Sequence, residues 1–306
     1  MGVDDNSEFV AALDLGTNTF NLAIARSKPP FTMEFRTEKG VFLGKGGLGD
    51  KIILEDASIR AQKVLEIYSD ILSNYPLNEV RCVATEAIRN AKNAHEVLSF
   101  LEIDVPFTVE TIPGEQEALL VYKGVKSTGI LGDDNVVIMD IGGGSIEFII
   151  ANVTKIHWKK SFKIGTSRVL EDHPLSNPPI AKELELHYTY YSSRLDELDA
   201  LIKKFDVNKL IGTAGSFDAW RKILSEDLDS STCLLDSQEL EDCINRTNAL
   251  SIEERVKIKG MEEMRIETIV PAGILVTYLL DSFNFKSIYQ CSYALAEGVL
   301  WEMINE

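Results

Sequence analysis

Short apolar runs separated by turns open the chain. Residues 9–16 read as a buried strand that ends in Asp14 and Gly16. A second strand is expected over 20–25 and a third over 31–41. Over Glu55–Leu72 the period changes: Ala57, Ala61, Val64, Leu65, Tyr68, Ile71 and Leu72 fall on one face of an amphipathic helix. Residues 80–85 and 107–112 are further strand candidates, and Pro113-Gly114 turns the chain into a helix starting near Glu115. The Gly- and Asp-rich stretch 129–135 reads as a joint. Beyond it the strand pattern restarts at 136–141, 146–151 and 156–164. The rest is expected to be mostly helical, interrupted by a strand at 209–211 and the turn Gly212-Thr213-Ala214-Gly215. Strands interleaved with long helices give an α/β class.

The two halves repeat one device. Residues 14–25 (DLGTNTFNLAIA) align without a gap on residues 140–151 (DIGGGSIEFIIA). Each copy is an apolar strand, an Asp, a Gly, a turn of small residues and a second apolar strand. The offset is domain-sized, so this is no solenoid period. Turns such as Gly16-Thr17-Asn18-Thr19 and Gly142-Gly143-Gly144-Ser145 leave backbone N–H groups uncovered, and successive N–H groups make an anion-binding concavity. Glycine lets a phosphate come close to the backbone, and the hydroxyls of Thr17, Thr19 and Ser145 donate further bonds. An Asp at the end of the preceding strand suits a divalent cation, for Mg²⁺ usually through water. One such turn is explained by a permissive hairpin. Two matched copies, each with a carboxylate in an otherwise apolar strand, point to phosphate handling, because a buried carboxylate is costly unless paired or metal-bound.

Other residues keep two readings. Alternation puts Glu147 on the same strand face as Ser145, either as a partner of Asp140 at a cation or as a solvent-facing strand residue; Asn21 holds the equivalent place in the first copy. Glu115 and Glu117 open a helix, where acidic side chains suit the macrodipole and where one could act as a general base. Arg89 is either a bidentate phosphate ligand or a surface ion-pair residue. Lys45, among Gly44, Gly46 and Gly47, is a basic loop residue of unassigned role.

Composition narrows the class. The chain has 306 residues, and 48 Asp and Glu against 31 Lys and Arg give a net charge of −17. That length suggests two domains. The acidic balance argues against a general nucleic-acid binder, though an anionic substrate is compatible with local positive charge or a bound cation. Cys82, Cys233, Cys243 and Cys291 form no C-x-x-C pair, and His95, His157, His173 and His187 show no metal-ligand spacing. The N-terminus MGVDDNSEFV lacks the apolar run of a leader, and the longest uncharged stretch, 268–280, is too short to span a bilayer. A cytoplasmic protein is expected, with no membrane partner.

At this point the sequence resembles the exopolyphosphatase and guanosine pentaphosphate phosphatase (Ppx/GppA) family. The resemblance is carried by residues 14–25, VFLGKGGLGD (41–50), ATEAIRNAKN (84–93), IPGEQEA (112–118), DIGGGSIEF (140–148), GTSRVLE (165–171), GTAGS (212–216), RIETIVPAGILV (265–276) and ALAEGVL (294–300). It implies two ribonuclease-H-like, actin-like ATPase domains facing across a cleft. The expected boundaries are 1–125, completed by the last helix at 294–306, and 126–293. It implies hydrolysis of the terminal phosphoanhydride of polyphosphate, with guanosine pentaphosphate hydrolysis or a weakly catalytic polyphosphate- or nucleotide-binding regulator as alternatives. Carried over residue by residue, it makes Glu117 the catalytic base and Asp140 and Glu147 the Mg²⁺-associated acids. It places phosphate at Gly16, Thr17, Asn18, Thr19, Arg89, Gly142, Gly143, Gly144, Ser145, Gly212 and Gly215. Ala296 replaces a basic residue that many members carry. A homodimer is left open.

Overall fold

A computed structural model of the chain describes residues 9–306. The leader reading therefore falls, for residues 1–8, outside the described residues. The chain divides into two compact units, one running to Ser127 and including Leu295–Glu306, the other Thr128–Ala294.

In the first unit a meander of β1 (Phe9–Leu15), β2 (Thr19–Arg26) and β3 (Met33–Gly40) is followed by α1 (Glu55–Leu72), β4 (Leu77–Ala84), the short α2 (Glu86–Asn90), α3 (Ala94–Leu101), β5 (Val109–Thr111) and α4 (Gly114–Ser127). The sheet order is β3-β2-β1-β4-β5. β1 and β2 pair antiparallel, whereas β1, β4 and β5 run parallel. β1 is central and buried along its length except at Asp14, so its apolar run needs no alternation. The stripe on α1 reads as expected: Ala57, Ala61, Leu65 and Tyr68 pack with Leu13, Leu15, Phe20 and Leu22 in one core. Tyr68 also donates its hydroxyl to the Phe20 carbonyl at 2.7 Å, which satisfies the polar end of a fully buried ring.

The second unit repeats this plan. β6 (Val136–Ile141), β7 (Ile146–Ala151) and β8 (Ile156–Phe162) form the meander, followed by α5 (Thr166–Asp172), α6 (Ala181–Ser192), α7 (Asp196–Lys204), β9 (Lys209–Thr213), α8 (Gly215–Leu224), β10 (Thr232–Leu235), α9 (Ser237–Asn248), α10 (Ile252–Arg255), α11 (Ile269–Ser282) and β11 (Ser287–Cys291). The sheet order is β10-β11-β9-β6-β7-β8, with β6, β9 and β11 parallel. β8-β7-β6-β9-β11 thus matches β3-β2-β1-β4-β5 strand for strand, so the sequence repeat is a repeat of topology. Both sheets have the ribonuclease-H-like arrangement.

Two strands correct the expectation of a mostly helical second half. β10 and β11 are only four and five residues long. β11 is not apolar either, since Gln290 lies buried within it, hydrogen-bonded to Arg221. The uncharged stretch after residue 268 is α11, packed into the core of the second unit. Pro271 sits in its first turn, where no intrahelical N–H is lost. Among the described residues no helix is long and apolar enough to cross a membrane. The chain ends in α12 (Leu295–Asn305), which packs on α4 and is tied by Glu302 to Arg81 at 2.9 Å and to Lys123 at 2.6 Å.

Candidate functional site

Each unit carries a candidate site at the carboxyl ends of its parallel strands, where open α/β sheets bind ligands. In the first unit the ends of β1, β4 and β5 lead into the turn 16–19, the start of α2 and the start of α4. Backbone bonds draw them together. Thr85 N–H donates to the Leu15 carbonyl at 3.3 Å, and Ile112 N–H to the Ala84 carbonyl at 3.1 Å. Thr17, Asn18 and Thr19 are buried. The glycine-rich loop after β3 straps the turn from one side: Val41 and Phe42 N–H donate to the Asn18 carbonyl, and Gly44 N–H to the Thr17 carbonyl. In a trans peptide the following N–H points opposite to the carbonyl, so the N–H groups of Asn18 and Thr19 point away from that loop.

The second unit makes the same arrangement more completely. The carbonyls of Gly142, Gly143 and Gly144 accept from the backbone N–H groups of Thr166, Ser167, Arg168 and Gly165 at the start of α5. The Arg168 side chain adds a bond from Nε to the Gly144 carbonyl at 3.1 Å. By the same planarity, the N–H groups of Gly143, Gly144 and Ser145 turn to the other side as a run of three donors. The two turns also share their tightness. A Cβ on Gly16 would lie 2.8 Å from the Thr19 carbonyl oxygen, and one on Gly142 would lie 2.7 Å from that of Ser145.

The acids behind the turns differ. Asp14 faces Asn21 across the β1–β2 ladder, and Asn21 Nδ2 donates to Asp14 Oδ2 at 3.0 Å. Asp140 faces Glu147 across β6–β7, so the second unit opposes two carboxylates. Glu147 is 1% exposed, which disposes of the solvent-facing reading; Asp140 is half-buried. Ser161 on β8 lies opposite Glu147 and donates to its Oε1 at 2.6 Å. Sequence reasoning passed over Ser161; the signal was its place in the meander, two strands over from Asp140. Among the described residues no group of three or more His, Cys, Asp or Glu is gathered.

At the start of α4 the two glutamates separate: Glu117 is buried and Glu115 exposed. Arg89 donates from Nη1 to Glu117 Oε2 at 2.9 Å and to the Ile112 carbonyl at 2.8 Å, and from Nη2 to Glu86 Oε2 at 2.7 Å. Burial pulls the guanidinium's pKa down, but the Glu117 and Glu86 carboxylates outweigh it and hold it above its ordinary value. Arg89 is thus an ion-pair residue, largely buried rather than at the surface, and one of its partners is the candidate base. Gly212 lies inside β9, and a Cβ there would meet the Phe217 ring at 2.1 Å, so packing accounts for this glycine. Gly215 opens α8.

The duplicated α/β unit thus carries an Asp-x-Gly turn at the carboxyl edge of each sheet. Residues 2–306 match the Ppx/GppA phosphatase family, and the chain belongs to that family. It is 25% identical over 309 residues to a guanosine-5'-triphosphate,3'-diphosphate pyrophosphatase of Aeromonas salmonicida, covering 98% of this chain but 60% of the relative. A putative exopolyphosphatase of Haemophilus influenzae is 23% identical, covering 97% of this chain and 92% of its own. Among solved structures, an exopolyphosphatase from Cytophaga hutchinsonii superposes with a TM-score of 0.92 at 30% identity, covering 97% of both chains. The chain spans about 60% of the length of the pyrophosphatases it matches.

Proposed function

We propose that this chain is an exopolyphosphatase, releasing phosphate from the end of inorganic polyphosphate. The observation that carries the reading is the second-unit turn, with three backbone donors aimed one way beside the opposed acids Asp140 and Glu147. Phosphoryl transfer needs little covalent help from protein; it needs charge placed around the moving group. In the second unit the N–H groups of Gly143, Gly144 and Ser145 bind phosphate oxygens, and in the first unit the Thr17–Thr19 turn offers donors of the same kind. Arg89 supplies a further donor pair. Loss of one such donor costs about 10²–10³ in rate in comparable sites. Glu117 orients a water and takes its proton.

The donor set fits a divalent cation. Like charges directly opposed on a ladder repel, and a cation beside Asp140 and Glu147 would offset that, whereas in the first unit the neutral amide of Asn21 stands in the second acid's place and donates to Asp14. Asp140 and Glu147 would hold Mg²⁺, which neutralises charge on the transferring group. The four cysteines are free thiols, which suits a reducing cytoplasm.

Guanosine pentaphosphate is the competing substrate, favoured by the pyrophosphatases among the relatives. Phosphate release from long polyphosphate, short polyphosphate and guanosine pentaphosphate, each with and without Mg²⁺, tests the reading. Release is expected from polyphosphate and only with the cation; release from guanosine pentaphosphate alone would replace the substrate.

A further inference from the structure

Glu86 has no part in the chemistry above, yet it is 1% exposed. A carboxylate that deep is costly unless strongly paired. Its side chain is on Arg89, three residues on in α2, and Arg89 is simultaneously on Glu117. One guanidinium is therefore shared by two buried carboxylates. Its third acceptor, the Ile112 carbonyl, pins Nη1 at the end of β5. The planar fork leaves the guanidinium little freedom once both Nη atoms are fixed.

Sharing matters because the second carboxylate is the proposed base. A cation paired wholly with Glu117 favours its ionised form and weakens it as a proton acceptor. Glu86 holds Nη2 and adds a negative charge beside the pair, which works the other way. The remaining charged groups on α4, on α12 packed against it and at the residue after α12 are Glu115, Lys123, Lys126, Glu297, Glu302 and Glu306; on α3 and β4, packed against α2, the titratable and charged groups are His95, Glu96, Glu79, Arg81 and Cys82. Of these, Glu302 and Glu306 are tied to Lys123, Glu302 also to Arg81, and Glu297 lies 3.9 Å from Arg36. On α2 itself the charged residues are Glu86 and Arg89.

We propose that Glu86 is a positioning residue of the hydrolysis: it divides the Arg89 charge, keeps Glu117 basic and holds the guanidinium in place for phosphate. The proposal rests on Glu117 being the base.

The test is the pH profile of phosphate release by Glu86→Gln in the full chain. The expected result is a kcat about three- to tenfold lower, a smaller change in KM, and an acidic limb of kcat/KM moved down by about one pH unit. Arg89→Gln should cost less in the Glu86→Gln background than in the wild type, because the two act as one unit. If Glu86→Gln does not fold, Glu86→Asp carries the test, with the limb held at its wild-type position. A limb unmoved by Glu86→Gln, additive losses with Arg89→Gln, or a Glu86→Asp limb displaced by a full unit would overturn the proposal. An active wild type with any of these results overturns this inference alone. A wild type that releases phosphate from neither polyphosphate nor guanosine pentaphosphate overturns the functional reading and this one with it.

Discussion

Glu147 stands directly across the β6–β7 ladder from Asp140. The equivalent pair in the first unit, Asp14 and Asn21, is joined by an amide hydrogen bond. The duplicated device thus carries one carboxylate in the first unit and two in the second. The acidic copy is the one with the more complete run of backbone donors.

The asymmetry predicts opposite effects of one substitution with and without cation. Glu147→Gln gives the second unit the first unit's pairing. In excess chelator the variant should be more stable than the wild type, because like charges directly opposed destabilise a ladder. Mn²⁺ binding, followed by electron paramagnetic resonance, should weaken at least tenfold, and the Mg²⁺ needed for half-maximal turnover should rise in parallel. Unchanged Mn²⁺ affinity would remove Glu147 from the cation site.

Ser161→Ala tests the support of that carboxylate. Removing the 2.6 Å donor to Glu147 Oε1 leaves the acid charged but less fixed. The expected result is a threefold to tenfold loss of Mn²⁺ affinity. A loss of thermal stability with intact Mn²⁺ binding would make Ser161 a purely structural partner.

At the start of α4, Glu117→Gln should keep phosphate binding and lose about 10²–10⁴ in kcat, the range for a general base. Glu115→Gln should leave turnover near wild type, because Glu115 is exposed and its charge at a helix start is worth only about 0.3–1 kcal/mol. Steady-state kinetics on both variants, with calorimetric phosphate binding, checks the contrast. A crippled Glu115→Gln would move the base.

Much of this was legible in the sequence because it lies in local patterns. The stripe on α1 predicted its helix over Glu55–Leu72, and the repeat 14–25/140–151 foretold two matching sheet cores. What escaped depends on register and on distant partners. β11 carries a buried Gln290 whose polar ends are satisfied by Arg221 and Asp218, so hydropathy alone conceals it. The separation of Glu117 from Glu115 is a matter of which face of α4 is covered. The meeting of Arg89 with Glu117 depends on the parallel pairing of β4 and β5, which brings α2 beside the start of α4. Nothing in either segment alone encodes it.

A buried histidine sets an acid limit on the second unit. His187 is fully buried, with Nε2 at 2.7 Å from the His173 carbonyl and Nδ1 making no hydrogen bond. The bond assigns the proton to Nε2, and burial holds the imidazole's pKa below its ordinary 6.5. The folded state therefore refuses a proton that the unfolded chain accepts below pH 6.5. Stability present above that pH should fall as pH drops through the window, by at most about 1.4 kcal/mol per pH unit. His187→Gln, which cannot titrate, should flatten this part of the curve. Denaturant midpoints between pH 7.5 and 5 measure it; equal slopes in both proteins would assign the acid sensitivity elsewhere.

The glycines separate binding from packing. Gly142 and Gly212 were both expected at phosphate, but their surroundings differ. A Cβ on Gly142 presses only on the Ser145 carbonyl within the turn. The strain falls on the peptide groups that aim the donors, so Gly142→Ala should weaken phosphate binding and turnover more than tenfold while the thermal midpoint moves little. A Cβ on Gly212 would overlap the Phe217 ring, with three ring carbons at 2.1–2.2 Å. Phe217 is fully buried in the core of the second unit and stacks edge-on with Trp220 at 5.1 Å, so the ring has nowhere to retreat. Gly212→Ala should therefore cost about 1–3 kcal/mol of stability, the usual price of overpacking. Activity per folded molecule should stay close to wild type. Phe217→Leu in the same background should recover part of the loss by making room, which a phosphate-contact role for Gly212 does not predict. Thermal midpoints and kcat/KM on the two single variants and the double variant decide between the roles. A stable Gly212→Ala protein without phosphate affinity would return Gly212 to the binding site.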